Sequence, residues 1–253
     1  MKKRYIYLYL IGWWLFCVAC TGNFRDYNTD LSGITNEDLN IDDNGYGIRL
    51  GIIQQGIYFN YDYGKGKNWP FQLIQNLNAD MFSGYMHDAK PLNGGSNNSD
   101  YNMQDGWNSA MWTHVYSYIF PQIYQSENAT RDTHPALFGI TKILKVEVMH
   151  RVTDYYGPII YRHFANAEKH YQPDTQKEVY YEFFNELDSA VVALIGYIEE
   201  KPESNGFARF DILLDGKYSS WVKFANSLRL RLAMRLASIA PDKLSLIHIS
   251  EPT

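Results

Sequence analysis

An aromatic and amide-rich segment, residues 81–107, is the part of this sequence best suited to binding a ligand. Its candidate binding residues, three aromatic and three polar, are Tyr85, Trp107, Tyr101, Asn97, Asn98 and Asp100. Sugars are commonly held by aromatic rings that stack on their C–H faces, while amides and carboxylates hydrogen-bond the hydroxyls. The segment has no apolar periodicity, and a loop of this length in a compact domain is either functional or disordered. We therefore predict a ligand-binding loop.

Trp107 has a second interpretation, because it directly precedes the next segment with helical periodicity. A tryptophan at the start of a helix commonly packs into the core. The sequence leaves both roles open for this residue.

Catalytic and metal-binding chemistry has little support in the sequence. A glycan-cleaving enzyme needs two carboxylates at a fixed separation, and no pattern here pairs them. Glu186 and Asp188 are expected on the solvated face of an amphipathic helix. His114, His134 and His150 are isolated and show no H-E-x-x-H spacing. We predict no catalytic residue, no metal site and no cofactor.

Composition narrows the class of protein further. With 253 residues the chain can bury a substantial core, and it contains 21 Tyr, 13 Phe and 6 Trp. Such rings form either a ligand-gripping surface or aromatic layers of a helical core. The formal net charge of −5 provides no basic field, so nucleic acid is not an expected partner.

The element on which the rest is expected to pack is a long helix within residues 134–164. Its apolar positions recur every three or four residues: Leu137, Ile140, Leu144, Val148, Val152 and Tyr155. Pro135 suits a first helical turn, and the pair Gly157 and Pro158 ends the pattern. The aromatic exit after the helix is predicted to be extended and to fix a surface.

Further helices are predicted before and after this one. Helical patterning covers about residues 42–63, 69–80 and 111–125, with Pro121 expected to bend the last of them. Thr175 and Glu178 form a capping box that starts another helix.

A last helix starts near Ser220 with an apolar face. Arg229, Arg231 and Arg235 lie beside that face, and on so acidic a chain we expect them to pair with neighbouring helices.

The first residues have the pattern of an export signal. A basic start is followed by an apolar stretch too short to span a bilayer comfortably. A small residue before Cys20 is typical of a bacterial lipoprotein, so residues 1–19 are predicted to be removed and Cys20 to carry the lipid. Residues 20–41 would then form a tether. Both cysteines lie in this region, so no disulfide is expected in the mature domain.

Three segments together resemble a known family: residues 24–30 (FRDYNTD), residues 134–158 from HPALFGITKILK to TDYYGP, and residues 221–235 (WVKFANSLRLRLAMR). In this order behind a lipoprotein signal, they resemble the SusD/RagB family of Bacteroidetes. The resemblance implies a mainly α fold, a scaffold of tetratricopeptide-like helix pairs with long ligand-binding loops. No clean repeat of about 34 residues is visible in the sequence itself.

The resemblance also implies a location and partners. Such proteins are lipid-anchored and surface-exposed on the outer membrane, bind an oligosaccharide or another nutrient, and work with a SusC-type TonB-dependent transporter without catalysing a reaction. A helix-repeat scaffold that binds only protein partners remains the alternative.

The domain boundaries follow from these patterns. Residues 42–243 are expected to be the N-terminal part of a SusD-like domain whose C-terminal half is missing. Residues 244–253 (LSLIHISEPT) match the translation of a sequencing-library transposon adapter codon for codon, so we expect them not to be native.

Overall fold

The computed structural model describes residues 44–59, 69–90, 92–165, 172–204 and 207–241, which form helices joined by loops. In chain order the α-helices are α1 (Asn44–Gly56), α2 (Trp69–Phe71), α3 (Asp80–Phe82), α4 (Asp105–Asn108), α5 (Ala110–His114), α6 (Phe120–Thr130), α7 (Pro135–Tyr156), α8 (Gln176–Glu200) and α9 (Tyr218–Leu236). In these described ranges β-pairing is limited to an isolated bridge between Ile159 and Asp174. The predicted mainly α fold is confirmed.

The predicted signal (1–19), Cys20, the tether (20–41) and residues 244–253 lie outside the described residues. Among the helices that are described, none combines the length and the hydropathy that a membrane-spanning segment needs.

Helix α7 has the predicted boundaries. Pro135 occupies its first turn, and Gly157 ends it with a φ of 77°, a conformation that a glycine adopts without steric cost. The predicted face is buried, but so is the opposite one, because Ile143, Val146 and Met149 are also fully shielded from solvent. The reason is that α7 is packed between neighbours, with α8 against one part of its surface and α6 and α1 against others.

Helices α8 and α9 continue this packing. Both halves of the capping box are present, since Thr175 accepts from the Glu178 N–H and the Glu178 carboxylate accepts from the Thr175 N–H. Helix α9 packs on α8 with Trp221 fully buried. Two of the arginines pair as predicted: Arg229 with Asp188 of α8, and Arg235 with Asp154 of α7.

Two helical stretches widen to π-helical turns, Gln72–Ala79 between α2 and α3, and Val115–Ile119 between α5 and α6. The second lies just before Pro121, where the sequence predicts a bend. Proline has no N–H to donate to the carbonyl four residues earlier, so the hydrogen-bond ladder must change register just before it.

Helix α1 is shorter than predicted, since it ends at Gly56 and is followed by a turn through Phe59. Glycines lower the helix propensity of α1, but they also let neighbouring side chains approach its backbone closely. A Cβ atom on Gly47 would lie 2.0 Å from the Phe210 ring, so only glycine fits under that side chain.

Candidate functional site

One carboxylate organises the loop between α3 and α4. Asp88 accepts hydrogen bonds from the Leu92 N–H at 2.9 Å, the Asn97 side-chain amide at 3.3 Å and the Ser99 hydroxyl. The hydrogen bond from the Ser99 hydroxyl, followed by that from the Leu92 N–H, lowers the pKa of Asp88. The carboxylate is therefore charged at neutral pH and fixes the loop in one conformation.

The amides of Asn97 and Asn98 are not available to a ligand, which corrects the role predicted for them. Both are buried, with 0% and 1% of their surface exposed. Asn97 accepts from the Ser99 N–H, while Asn98 donates to the Leu77 carbonyl at 2.8 Å and accepts from the Gln104 N–H. The hydrogen bonds of Asn97 lie within the loop, whereas those of Asn98 to Leu77 and Asn108 hold the loop to helical segments. Buried amides must be satisfied within the protein.

The other predicted residues lie at or near the surface. Tyr85 is 90% exposed, Tyr101 is 69% exposed, and Asp100 is also exposed. Trp107 is half-buried in the first turn of α4, and its carbonyl accepts from Asn78. The loop thus presents the rings of Tyr85 and Tyr101 to solvent and keeps the amides of Asn97 and Asn98 inside.

Partly exposed aromatic rings continue from this loop across the protein. We name them the aromatic row; in spatial order they are Tyr101, Phe82, Tyr155, Tyr156, Trp112, Tyr116, Phe164 and Tyr124. Successive ring centroids are between 4.4 and 6.3 Å apart. Each ring is half-buried or exposed, so each ring of the row has a part of its surface that a ligand can contact.

Hydrogen bonds fix the middle of the aromatic row. Tyr155 donates to the Asn108 side chain at 3.0 Å, Tyr156 donates to the Asn108 carbonyl, and Tyr116 donates to the Ile160 carbonyl at 2.8 Å. Burial raises the pKa of Tyr156 to about 12 and that of Tyr116 further, so these hydroxyls stay protonated at neutral pH. The rings are therefore ordered before any ligand arrives.

Next to the far end of the row lies a buried charge network. Lys145 of α7 donates to Glu186 of α8 at 2.7 Å and to Glu127 of α6 at 3.3 Å, and the Tyr161 hydroxyl also donates to Glu186. Burial alone would lower the pKa of Lys145, but the charges of Glu186 and Glu127 outweigh it and raise the pKa. Burial and the Glu186 charge raise the pKa of Tyr161.

This network borders a cavity of about 330 Å³, which we call the charged cavity. Its lining residues, aromatic and charged, are Phe120, Tyr124, Glu127, Arg131, Phe138, Lys142, Lys145, Tyr161, Arg162, Phe164, Glu182 and Glu186. Tyr124, Arg131 and Arg162 are exposed, so the cavity is open to solvent. Tyr124 and Phe164 also belong to the aromatic row, which therefore ends in the cavity.

Sequence reasoning placed Glu186 on the solvated face of its helix, and this was wrong. Glu186 lies three residues after Phe183 and eight before Leu194, both fully buried, so its position on the helix faces the core. That spacing was a signal that could have been used. Its partner Lys145 is 41 residues away and could not be identified by spacing.

Metal-binding geometry does not occur in the described part of the chain. No group of three or more His, Cys, Asp or Glu side chains there is placed to hold an ion.

Comparison with known proteins decides the family. A family model described as SusD-like, "Susd and RagB outer membrane lipoprotein", matches residues 26–246. The chain belongs to the SusD-like family. The resemblance noted in the sequence is thereby confirmed, whereas none of the curated proteins compared with the chain matches it.

Solved SusD-like structures have the same fold. A SusD homologue from Bacteroides vulgatus is 46% identical with a TM-score of 0.72, over 78% of this chain and 40% of its own. A chitin-binding SusD homologue from Flavobacterium johnsoniae is 35% identical with a TM-score of 0.75, over 82% of this chain and 42% of its own. The chain thus spans about two fifths of the length of these relatives.

Proposed function

We propose that this SusD-like protein binds glycans along the aromatic row and delivers them for uptake. The observation that carries the proposal is the row itself, a line of ordered rings that starts at Tyr101 in the predicted binding loop. Sugar rings stack on such surfaces through their C–H faces. A row of successive platforms suits an oligosaccharide better than a single sugar.

Two further observations support an ordered binding surface. The hydroxyls of Tyr116, Tyr155 and Tyr156 are engaged with the protein, which reduces the entropy lost when a ligand binds. A family member with 35% identity is described as chitin-binding, which makes a chitin oligosaccharide a sensible first ligand to test.

We further propose that the mature protein is anchored through a lipid on Cys20 at the cell surface, and that it pairs with a SusC-type TonB-dependent transporter. The family description as an outer-membrane lipoprotein supports the anchor. The transporter partnership rests on the family resemblance.

A second candidate function, a scaffold that binds only protein, has support from exposed apolar side chains. Val192 and Ile195 lie one turn apart on α8 and are 72% and 43% exposed, and Leu230 and Met234 are exposed on α9. Such side chains at helical spacing suit a protein contact.

Glycan-array screening followed by calorimetry distinguishes the two functions. We expect the array to return an oligosaccharide, with chitohexaose tested alongside it, and expect Tyr101→Ala to weaken binding by about tenfold, as loss of an aromatic contact commonly does. Tyr58→Ala serves as the matched control, because Tyr58 is 52% exposed and lies outside the row. Absence of any glycan hit would favour the scaffold, and hydrolysis of the bound glycan would show an enzyme instead.

The anchor is tested separately by metabolic labelling with a fatty-acid probe. The wild-type protein is expected to incorporate the label and to fractionate with the outer membrane. A Cys20→Ala variant that still incorporates the label would contradict the assignment of this residue.

A further inference from the structure

We propose that the charged cavity binds an anionic substituent of the glycan, a carboxylate or a sulfate, between Arg131 and Lys142. The inference rests on the proposed function, because the ligand would reach the cavity along the aromatic row. It names the class of glycan, an acidic one, and a site outside the predicted loop.

Two cationic side chains of this cavity, those of Arg131 and Lys142, lie near the same aromatic ring, that of Phe138. The Lys142 ammonium lies 5.0 Å from the centre of the Phe138 ring, and the Arg131 guanidinium lies 5.9 Å from the same centre. An aromatic ring attracts a cation but does not neutralise it. Both cations line the charged cavity, so an anion inside it would be attracted by both charges.

The other cations of the cavity are already neutralised. Lys145 is bound to Glu127 and Glu186, and Arg162 is bound to Asp174 at 2.7 Å and to Glu178 at 2.9 Å. These pairs satisfy the charges on both sides, so they leave little attraction for a ligand.

Arg131 and Lys142 are less fully neutralised than those cations. No carboxylate of a described residue forms an ion pair with Arg131, which is exposed at the end of α6. Lys142 lies 3.6 Å from Glu186, whose oxygens already accept from Lys145 and Tyr161. A ligand anion would thus complete the coordination of both side chains with charge-assisted hydrogen bonds.

The remaining features of the cavity fit a sugar. Its volume of about 330 Å³ is at the lower end of small-molecule pockets, enough for one terminal residue of a chain. Tyr124 and Phe164 provide aromatic surface at the junction with the row. Glu182 also lines the cavity and accepts from Asn185 at 3.3 Å, which leaves an oxygen for a sugar hydroxyl.

Calorimetry with three ligands of matched length tests the proposal: a trimer of galacturonic acid, a sulfated galactose trimer and a neutral galactose trimer. We expect at least one acidic trimer to bind about tenfold more tightly than the neutral one, the effect of one hydrogen bond to a charged group. The preferred acidic trimer identifies the substituent. The preference should shrink as salt is added.

Single substitutions show which residues cause the preference for the acidic trimer. Arg131→Gln and Lys142→Gln are each expected to abolish the preference for the acidic trimer, while Lys177→Gln is expected to keep it. Lys177 is a suitable control because it is an exposed lysine that also lies near an aromatic ring, that of Tyr181 at 5.7 Å. Melting temperatures of all three variants show whether they remain folded.

The outcomes separate this inference from the proposed function. Equal affinity for acidic and neutral trimers, or a preference that survives Arg131→Gln, would overturn the charged cavity alone, provided that Tyr101→Ala still weakens binding. If no trimer binds and the glycan array is also empty, both proposals fail.

Discussion

Lys145 and Glu186 form a hydrogen-bonded ion pair, at 2.7 Å, across the interface of α7 and α8, where the two residues are 8% and 4% exposed. Glu127 brings α6 into the same network at 3.3 Å from the Lys145 ammonium. The three helices that support the charged cavity are thus joined at one buried cation. Removing that cation leaves two nearly buried carboxylates without their main positive partner.

We therefore expect Lys145→Met to lower the free energy of unfolding by about 3–5 kcal/mol, as is usual when one partner of a buried ion pair is removed. Lys177→Met, at an exposed site, should change it by less than about 0.5 kcal/mol. Urea denaturation at neutral pH measures both. A loss below about 1 kcal/mol for Lys145→Met would mean that the network is no stronger than a surface pair.

Gly216 and Gly84 offer a matched pair for separating backbone strain from steric overlap. Both have positive φ, 70° and 75°, but a Cβ on Gly216 would lie 2.5 Å from the Ala208 Cα, whereas nothing lies within 4 Å of a Cβ on Gly84. Gly84→Ala should cost about 1–2 kcal/mol from the backbone alone. Gly216→Ala should cost about 1–3 kcal/mol more because of overpacking. Equal losses in urea denaturation would refute the steric explanation.

His150 should make the protein less stable in mild acid. Burial, with smaller effects from Arg231, Arg235 and Arg151, lowers the pKa of His150 from 6.5 to about 4. The imidazole ring is therefore neutral in the folded protein at neutral pH. The unfolded chain takes up a proton as the pH falls through about 6.5 and the folded chain does not until about 4, so stability decreases over that window. Because proton binding is linked to unfolding, the free energy of unfolding is expected to fall by about 1.3 kcal/mol between about pH 7.5 and about pH 5.5.

Urea denaturation of the wild type and of His150→Gln at the two pH values checks this expectation. The free energy of unfolding of the variant should depend on pH much less than that of the wild type. His163→Gln, which removes an exposed histidine, should retain it. If the free energy of unfolding of His150→Gln changed with pH as much as that of the wild type, another group would have to titrate in this window.

Asn98 is expected to act on the loop and not on the ligand. Asn98→Ala would leave the Leu77 carbonyl and the Gln104 N–H without their partner, at a cost of about 1–3 kcal/mol. For a domain of this size that corresponds to a fall in melting temperature of about 2–4 °C per kcal/mol. Asp100 lies in the same loop but is exposed, so Asp100→Ala should have the melting temperature of the wild type. An unchanged melting temperature for Asn98→Ala would return this amide to the candidate ligand contacts.

Local signals in the sequence determined most of the helices. Pro135 and Gly157 set the two ends of α7, and Thr175 with Glu178 set the start of α8. These residues act on backbone groups within a few positions of themselves, so their effect does not depend on the rest of the fold. Helical periodicity predicted a longer α1 than the structure has, since the helix ends at Gly56, which lies against Ile119.

The sequence also indicated which loop would carry exposed aromatic rings, but not which of its polar residues face solvent. Asn97, Asn98 and Asp100 are equally polar as residue types, yet only Asp100 is exposed. Burial of the two amides depends on partners that only the folded loop supplies, Asp88 and Ser99 for Asn97, and Leu77 and Gln104 for Asn98.

Only the tertiary structure created the aromatic row and the charged cavity. The rings of the row come from α3, the loop after it, the stretch from α5 to α6, and the end of α7 with the exit after it, and they meet only in the folded chain. Lys145 and Glu186 likewise meet only through the packing of α7 on α8. Helical periodicity assigns each side chain to a face of its own helix, whereas which faces meet depends on the packing of all the helices at once.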